Sequence, residues 1–252
     1  MKVFIALAAA ATSLFAGLAE ARQYDFSFVG YYSGLRIAEA QGKLDWADGR
    51  YKLDLRAKSD GIVDWFTVIT HSTRSEGTFA EAPLAEKHYY LSTDGKKKTE
   101  IELAFKPGDI EIVAATPHPL KEKRSPVPTE MKIGSFDPLS AVLALGMTAN
   151  SKDGCNGTTP VFDGRRRYDL VLENSQTLQY KGPRGSRDTY MCSFRFIRKA
   201  GYREKAKKWK GVVGKVWIQQ LDTGMPMLPV RMEIQTSYGT GLVHMLTAKD
   251  RQ

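Results

Sequence analysis

Few side chains in this sequence have the types and spacing that enzymatic chemistry needs. The four histidines, His71, His88, His118 and His244, are far apart, and no two are spaced to share a metal ion as in H-x-H or H-E-x-x-H. The sequence has neither the G-x-S-x-G motif of serine hydrolases nor a glycine-rich loop that leads into a helix and binds phosphate. We therefore predict a protein that is not an enzyme, with no catalytic residue, no metal and no cofactor. An unrecognised hydrolase is the third functional alternative, after a protein that binds an amphiphile and a scaffold that binds an envelope protein or peptidoglycan.

Basic side chains form the most distinctive chemical pattern. The chain has a net charge of +9, and a basic run interleaved with Phe196, Tyr202 and Trp209 lies in its second half. Its members are Arg195, Arg198, Lys199, Arg203, Lys205, Lys207, Lys208 and Lys210. One interpretation is a solvated surface. The functional alternative is contact with an anionic surface, where each basic residue contributes on the order of 1 kcal/mol.

The first 21 residues have the pattern of a secretory signal peptide. Met1-Lys2 gives a positively charged start, residues 3–18 are almost wholly apolar or small, and Ala19-Glu20-Ala21 is a small-x-small cleavage site. The apolar run is short for a membrane span, which needs about 20 residues. We predict cleavage before Arg22 and export to the periplasm, where residues 22–252 form one β-rich domain. We expect such a basic protein to bind anionic lipid, lipopolysaccharide or an envelope protein, to be at most peripheral to the membrane, and to bind no nucleic acid.

The two cysteines point to a disulfide. Cys155 and Cys192 are the only thiols, and two lone cysteines in an exported chain commonly pair with each other. A redox pair would be expected as C-x-x-C, and a metal site would need histidines nearby. Neither pattern is present. The pairing would tie the segment around Cys155 to the aromatic strand that contains Cys192.

Alternation of apolar and polar residues indicates β-strands along most of the chain. In residues 50–56, Tyr51, Leu53 and Leu55 share one face while charged side chains alternate with them. The predicted strands are 24–28, 35–38, 43–46, 50–56, 62–73, 87–91, 98–105, 110–114, 167–172, 190–197, 212–221, 230–237 and 242–247. Asp48-Gly49, Asp94-Gly95 and Pro107-Gly108 mark tight turns, so neighbouring strands should be antiparallel. The predicted fold is all-β, a strongly curved sheet that forms a barrel-like or spiral half-barrel.

One short helix interrupts the strands. A proline-rich stretch begins at residue 116, and residues 116–135 are the best place for an internal break. Asp137 can then cap a helix whose first residue is Pro138. The helix over residues 139–147 is apolar on nearly all sides, which predicts that it is buried inside the curved sheet.

Several short motifs, taken in order, resemble a known family. They are Tyr24 to Phe28, Gly30 and Gly34, Tyr51-Lys52-Leu53, Ser75-Glu76-Gly77, Ala82-Pro83 and Phe136-Asp137-Pro138-Leu139-Ser140-Ala141. The arrangement is similar to an uncharacterised family of bacterial periplasmic proteins, a domain of unknown function. The resemblance implies an exported β-rich domain, similar in style to the half-barrels of envelope-integrity proteins and lipoprotein carriers. The family has no established catalytic residues to carry over.

These observations lead to a functional hypothesis. We expect a non-enzymatic periplasmic protein that supports the integrity of the cell envelope by binding a lipid or another amphiphilic component. Candidate ligand-lining residues are Phe26, Phe28, Trp46, Trp65, Phe66, Leu139, Leu143 and Phe194. Such residues are more often part of the core than of a pocket, because small barrels pack their interiors with side chains. The alternative is a scaffold that binds an envelope protein or peptidoglycan through the basic run.

Overall fold

The computed structural model describes residues 22–79, 82–119, 124–149, 154–203, 212–223 and 225–251. Within these residues thirteen strands form one antiparallel sheet. In the first half the strands are β1 (Arg22–Tyr32), β2 (Leu35–Ala47), β3 (Arg50–Ser59), β4 (Ile69–Phe79), β5 (Pro83–Asp94), β6 (Lys97–Lys106) and β7 (Asp109–Thr116). In the second half they are β8 (Gly157–Phe162), β9 (Arg167–Gly182), β10 (Gly185–Ala200), β11 (Val213–Gln219), β12 (Leu228–Thr236) and β13 (Gly239–Arg251). The predicted all-β, antiparallel class is therefore confirmed.

The sheet consists of two meanders joined at its centre. Its strand order is β7-β6-β5-β4-β3-β2-β1-β13-β12-β11-β10-β9-β8, so each strand neighbours the next in sequence except where β1 pairs with β13. Tight turns make this order accessible: Asp48 and Gly49 both have positive φ, as a two-residue hairpin between β2 and β3 requires. The first and last strands thus join the two halves of the chain into a single sheet.

The sheet is curved but not closed. Its edge strands are β7 and β8, and the segment before the main helix lies against both. Phe136 exchanges backbone hydrogen bonds of 2.8 Å with Pro160 and Phe162 of β8, and Val127 packs beside the core residues of β6 and β7. Arg165, in the turn after β8, donates a hydrogen bond of 3.0 Å to the Thr116 carbonyl at the end of β7. The gap between β7 and β8 is therefore filled by side chains and by this segment, and not by a ladder of backbone hydrogen bonds between the two strands.

Two helices lie between the meanders. α1 (Thr129–Lys132) is a single turn, and α2 (Pro138–Ala149) begins at the predicted proline and contains the predicted helix. Seven of the twelve residues of α2 are buried, in agreement with its apolar composition. The carbonyl of Gly146 accepts a hydrogen bond from Met227, and a Cβ at position 146 would lie 2.0 Å from the Met227 carbonyl oxygen. A side chain at Gly146 would therefore push the helix away from the segment before β12.

Two predicted strand bounds need correction, and one strand was not predicted. The strand predicted over residues 62–73 starts only at Ile69, because Gly61–Trp65 forms a 3-10 turn that Asp60 caps. β11 ends at Gln219, before the predicted residue 221. β8 was not predicted, since Pro160 lies within it; a proline fits there because β8 is an edge strand, and on its outer side Pro160 accepts a hydrogen bond from Phe136 and donates none.

Candidate functional site

An apolar cavity of about 210 Å³ lies between α2 and the second meander. The helix contributes Val142, Leu145 and Gly146 to its wall, and β12 contributes Pro229 and Met232. Three neighbouring strands supply the rest of the main wall: Leu170 and Leu172 from β9, Phe194 and Phe196 from β10, and Val216 and Ile218 from β11. Val161 of β8 completes the wall, so the cavity is lined by one helix and five strands.

The strand residues line the cavity because of the two-residue period of a β-strand. Side chains at i and i+2 point to the same face, so each of the three pairs presents both members to the cavity. Trp217, between Val216 and Ile218, points to the other face and belongs to a different buried cluster together with Tyr24 and Trp46. Both faces of β11 are therefore packed, which fixes the position of the wall.

The cavity extends from the core to the solvent. Leu145, Phe194 and Ile218 are buried, whereas Val142, Phe196 and other wall residues are only partly buried. Among the described wall residues, only Tyr168 carries a polar side chain. Burial raises the pKa of the Tyr168 phenol, with a smaller contribution from Asp163, so the hydroxyl stays neutral over the physiological range. The site therefore offers an apolar interior and one neutral hydrogen-bonding group.

A buried polar network holds the start of α2. Asp137 accepts hydrogen bonds from the backbone N–H groups of Leu139 (2.9 Å) and Ser140 (3.1 Å), as an N-cap does. The Ser140 hydroxyl donates to the other carboxylate oxygen, and the Tyr51 hydroxyl donates to Ser140 over 2.6 Å. The cap predicted from the sequence is confirmed, and β3 is connected to it through Tyr51.

The same carboxylate is also bound from β4 and β5. The Ser75 hydroxyl donates to Asp137, and His88 Nδ1 lies 2.8 Å from Ser75 Oγ and 3.1 Å from Asp137 Oδ1. Because the Ser75 proton is already donated, we assign a proton to His88 Nδ1, which then donates to both oxygens. Asp137, Ser75 and His88 are each at most 2% exposed. The network therefore joins three strands of the first meander to the helix that walls the cavity.

The network keeps the Asp137 carboxyl ionised. Burial by itself would raise its pKa, but the hydrogen bonds and charge interaction with His88, together with those from Ser140 and Ser75, lower it below its ordinary value. Burial and the charge of Asp137 raise the pKa of Tyr51. The neutral phenol and the ionised carboxylate thus suit their roles as donor and acceptor.

The combination of Ser75, His88 and Asp137 is not arranged as a hydrolytic triad. In such a triad the serine and the carboxylate bind opposite nitrogens of the imidazole, with the serine accessible to substrate. Here both groups contact Nδ1, and Ser75 is fully buried. We interpret the cluster as a structural network. Sequence reasoning identified Asp137 as a cap, but nothing local to Ser75 or His88 indicated that they would meet it.

The predicted disulfide between Cys155 and Cys192 is present and lies at the base of the cavity wall. Its Cα atoms are 6.4 Å apart. Both cysteines belong to the buried cluster that also contains Leu145, Leu172 and Phe194. The bond therefore connects the segment between α2 and β8 to β10, across the intervening strand β9.

The sequence-predicted lining residues are distributed over three environments. Phe194 lies in the cavity wall. Phe26, Trp46 and Leu143 are buried in the core cluster centred on β1 and β2, Phe28 packs against that cluster, and Leu139 is partly buried in the first turn of α2. Trp65 and Phe66 are each 83% exposed, so for these two the prediction is wrong. They belong to the 3-10 turn, which projects beyond the end of the sheet, rather than to a strand.

The basic run is only partly within the described residues. Arg195 pairs with Glu173 at 3.2 Å, and Lys199 pairs with Asp169 at 3.0 Å. Arg198 lies over the ring of Tyr202, with the guanidinium carbon 5.0 Å from its centre. Arg203 is exposed. Lys205, Lys207, Lys208 and Lys210 lie outside the described residues.

In the described part of the chain, no group of three or more His, Cys, Asp or Glu residues is placed to hold a metal ion. Among the same residues, no helix has the length and apolar character needed to cross a membrane.

Comparisons with known proteins agree with this architecture. A family model described as "Protein of unknown function (DUF3108)" matches residues 23–247. A crystal structure of a β-barrel-like protein of domain of unknown function DUF1849 from Brucella abortus is similar to this chain, with a TM-score of 0.55 and 10% sequence identity. That similarity covers 92% of this chain and 98% of the Brucella chain. Curated proteins give no match. At this identity the structural likeness concerns the fold alone.

Proposed function

The chain belongs to the DUF3108 family, and from its geometry we propose that it is a non-enzymatic periplasmic protein that binds the apolar part of an amphiphile. The observation that carries this proposal is the cavity of about 210 Å³ between α2 and β8 to β12, with Tyr168 as its one polar wall residue. In the cell, such binding would support the integrity of the envelope.

The size and composition of the cavity suit an acyl chain segment. Apolar cavities of about 150 Å³ in other proteins stay dry and bind benzene. This cavity, at about 210 Å³, has room for a somewhat larger apolar group. Because part of its wall is only half-buried, a polar head group can remain in the solvent while the chain lies inside.

The wall is held in place before any ligand binds. The Asp137 network fixes the first turn of α2 to β3, β4 and β5, and the disulfide fixes the segment after α2 to β10. A wall that is already ordered loses little conformational freedom on binding, which leaves more of the apolar contact energy for affinity. The ion pairs of Arg195 and Lys199 favour this cavity over the basic run as the binding site.

Filling the cavity should weaken binding. We expect Val142→Phe, which places a phenyl ring in the space from the partly buried face of α2, to weaken the binding of octyl glucoside by at least about tenfold, on the scale of about 1.4 kcal/mol per factor of ten. Isothermal titration below the critical micelle concentration measures the affinity, and glucose serves as the head group without a chain.

The matched control is Val113→Phe on β7, where the side chain is exposed and remote from the cavity. This variant should bind octyl glucoside like the unchanged protein. Equal affinity of Val142→Phe and Val113→Phe, or binding of glucose as tight as that of octyl glucoside, would contradict the proposal. Native mass spectrometry after mild purification then identifies any amphiphile that accompanies the protein from the cell.

The periplasmic location has its own test. Cleavage after Ala21 removes the apolar start of the chain, so we expect the exported protein to begin at Arg22. N-terminal sequencing and intact mass of the periplasmic fraction measure this directly. Replacing Ala19 and Ala21 by bulky residues should block cleavage. A chain that retains Met1 and fractionates with the cytosol would contradict export.

A further inference from the structure

The end of the sheet carries an exposed aromatic turn that the cavity does not use. Between β3 and β4, Trp65 and Phe66 are each 83% exposed, and Ile62 and Val68 beside them are also exposed. Large apolar side chains scattered singly over a surface are ordinary, but four within seven residues form a contiguous patch.

The turn is rigid, so these side chains are held outward. Asp60 caps the 3-10 turn by accepting from the N–H of Gly61 over 2.7 Å. The backbone N–H groups of Phe66 and Thr67 both donate to the Val63 carbonyl, at 3.0 and 3.1 Å. Ser59 donates to Asp64 and accepts from the N–H of Ile69, which closes the base of the turn. A turn bonded in this way does not bury its aromatic residues by folding over.

Two neighbouring turns extend the patch along the same end of the sheet. Leu35, the first residue of β2 after the β1 to β2 turn, is 58% exposed, and Tyr238, in the turn between β12 and β13, is 87% exposed. A hydrogen bond of 2.9 Å from Asp60 N–H to the Ile37 carbonyl joins the first of these turns to the aromatic turn. A hydrogen bond of 2.9 Å from the Ser33 N–H to the Thr240 carbonyl connects the β1 to β2 turn with the start of β13.

We call this surface the aromatic rim. Its apolar members are Leu35, Ile62, Trp65, Phe66, Val68 and Tyr238.

A lysine-rich turn lies beside the aromatic rim. Thr67 donates a hydrogen bond of 3.0 Å to Asp94, the last residue of β5, and after Gly95 come Lys96, in the β5 to β6 turn, and Lys97, the first residue of β6. Both lysines are exposed and form no ion pair with a residue that the structure describes. Lys98, the next residue, pairs with Glu100 at 2.8 Å.

The remaining charges of this region neutralise one another or are hydrogen-bonded. Arg36 pairs with Asp60 and with Glu39, and Lys58 pairs with Glu39 at 3.0 Å. Asp64 and Asp94 accept the hydroxyl groups described above and keep their negative charge. Lys96 and Lys97 are the basic groups beside the aromatic rim that have no ion-pair partner among the described residues.

We infer that the aromatic rim docks on an anionic lipid bilayer, with Trp65 and Phe66 at the level of the head groups and Lys96 and Lys97 among the lipid phosphates. Tryptophan and other aromatic side chains favour the membrane–water interface. The negative surface potential of an anionic bilayer attracts lysine side chains near it. The rim consists of side chains from separate turns, and a fluid bilayer accommodates such a surface without shape complementarity. The inference does not depend on the cavity.

Tryptophan fluorescence with lipid vesicles tests the docking. Trp46 and Trp217 are buried, so Trp209→Phe leaves Trp65 as the exposed reporter among the described tryptophans. In this background, purified periplasmic protein is mixed with vesicles of phosphatidylglycerol and phosphatidylcholine whose acyl chains carry bromine. We expect the Trp65 emission to shift to the blue and to be quenched. Binding with unshifted and unquenched Trp65 would overturn the inference.

Variants separate the apolar from the electrostatic contribution. Trp65→Ser with Phe66→Ser should lower the partition coefficient by at least about tenfold, whereas Leu84→Ser with Val113→Ser, exposed apolar residues away from the rim, should leave it unchanged. Lys96→Glu with Lys97→Glu should lower binding to anionic vesicles by about 30-fold, with Lys181→Glu and Lys249→Glu as the charge-matched control.

Circular dichroism checks that these surface variants fold. Full vesicle binding by the folded Trp65→Ser, Phe66→Ser variant would overturn the inference. So would the absence of binding to anionic vesicles by the unchanged protein, a result that would assign the rim to a protein partner instead.

Discussion

Replacing Asp137 with alanine is expected to lower the free energy of unfolding by about 3–5 kcal/mol, the range found when one partner of a buried polar network is removed. Asp137 is fully buried, and Leu139, Ser140, Ser75 and His88 all donate hydrogen bonds to it. Alanine removes the helix cap and leaves these donors buried without an acceptor. Urea unfolding followed by circular dichroism measures the change.

Two control variants locate the effect. Asp137→Asn keeps an oxygen for the backbone N–H groups and should therefore lose less stability than Asp137→Ala. Asp60→Ala removes the cap of the exposed 3-10 turn and should cost about 0.5–2 kcal/mol, the ordinary range for a cap. If Asp137→Ala cost no more than Asp60→Ala, the network would not be what fixes α2.

The same carboxylate predicts how stability depends on pH. Its pKa is lower in the folded protein than in the unfolded chain, so its contribution is complete above the unfolded value of about 4 and is lost as the pH falls through the folded value. The unchanged protein should lose stability below pH about 4 more steeply than Asp137→Ala does. Parallel curves for the two proteins would contradict the assignment.

Removing the disulfide is the second change with a large expected effect. Cys155 and Cys192 are separated by 37 positions, and opening a loop of this size should cost about 4 kcal/mol through the entropy of the unfolded chain. Cys155→Ala with Cys192→Ala, measured by urea unfolding, gives this value. Because the bond lies in the cluster that walls the cavity, the variant should also bind octyl glucoside more weakly.

The single cysteine variants test whether one bond accounts for the loss. Cys155→Ala, Cys192→Ala and the double variant should be destabilised to nearly the same extent, since each breaks the same covalent link. Losses that add up in the double variant would show that packing at the two sites, and not the bond, carries the stability.

Local sequence patterns determined much of the fold. Alternation around Tyr51 predicted β3, Asp48-Gly49 predicted its hairpin, and Asp137-Pro138 predicted the start of α2; each depends on neighbouring residues only. The prediction of a strand starting at Ile62 was wrong because β-branched and aromatic residues occur there in a rigid turn, where no second strand covers them.

The candidate site was harder to predict because long-range packing creates it. The two-residue period of a strand assigns Phe26 and Phe194 each to one face of its strand. It does not tell whether that face packs into the filled core, as for Phe26, or lines the cavity, as for Phe194. The position of α2 decides this, and that position depends on His88 and Ser75, 49 and 62 residues from Asp137. The cysteines were more informative, since a chain with two thiols allows one intramolecular pairing.

The cavity, the buried network and the disulfide form one arrangement. The network ties the start of α2 to the first meander, the disulfide ties the segment after α2 to the second, and the apolar space lies between the helix and the second meander. The polar groups in this arrangement are satisfied internally, which leaves the apolar wall to contact a ligand.

The most direct test of this account is a nuclear Overhauser measurement on methyl-labelled protein with octyl glucoside. The account predicts contacts between the octyl chain and the methyl groups of Val142, Leu170 and Val216, and none with the exposed Val113 or Leu84. Contacts spread over the exposed methyl groups, or no contacts at the cavity wall with saturating octyl glucoside, would contradict it.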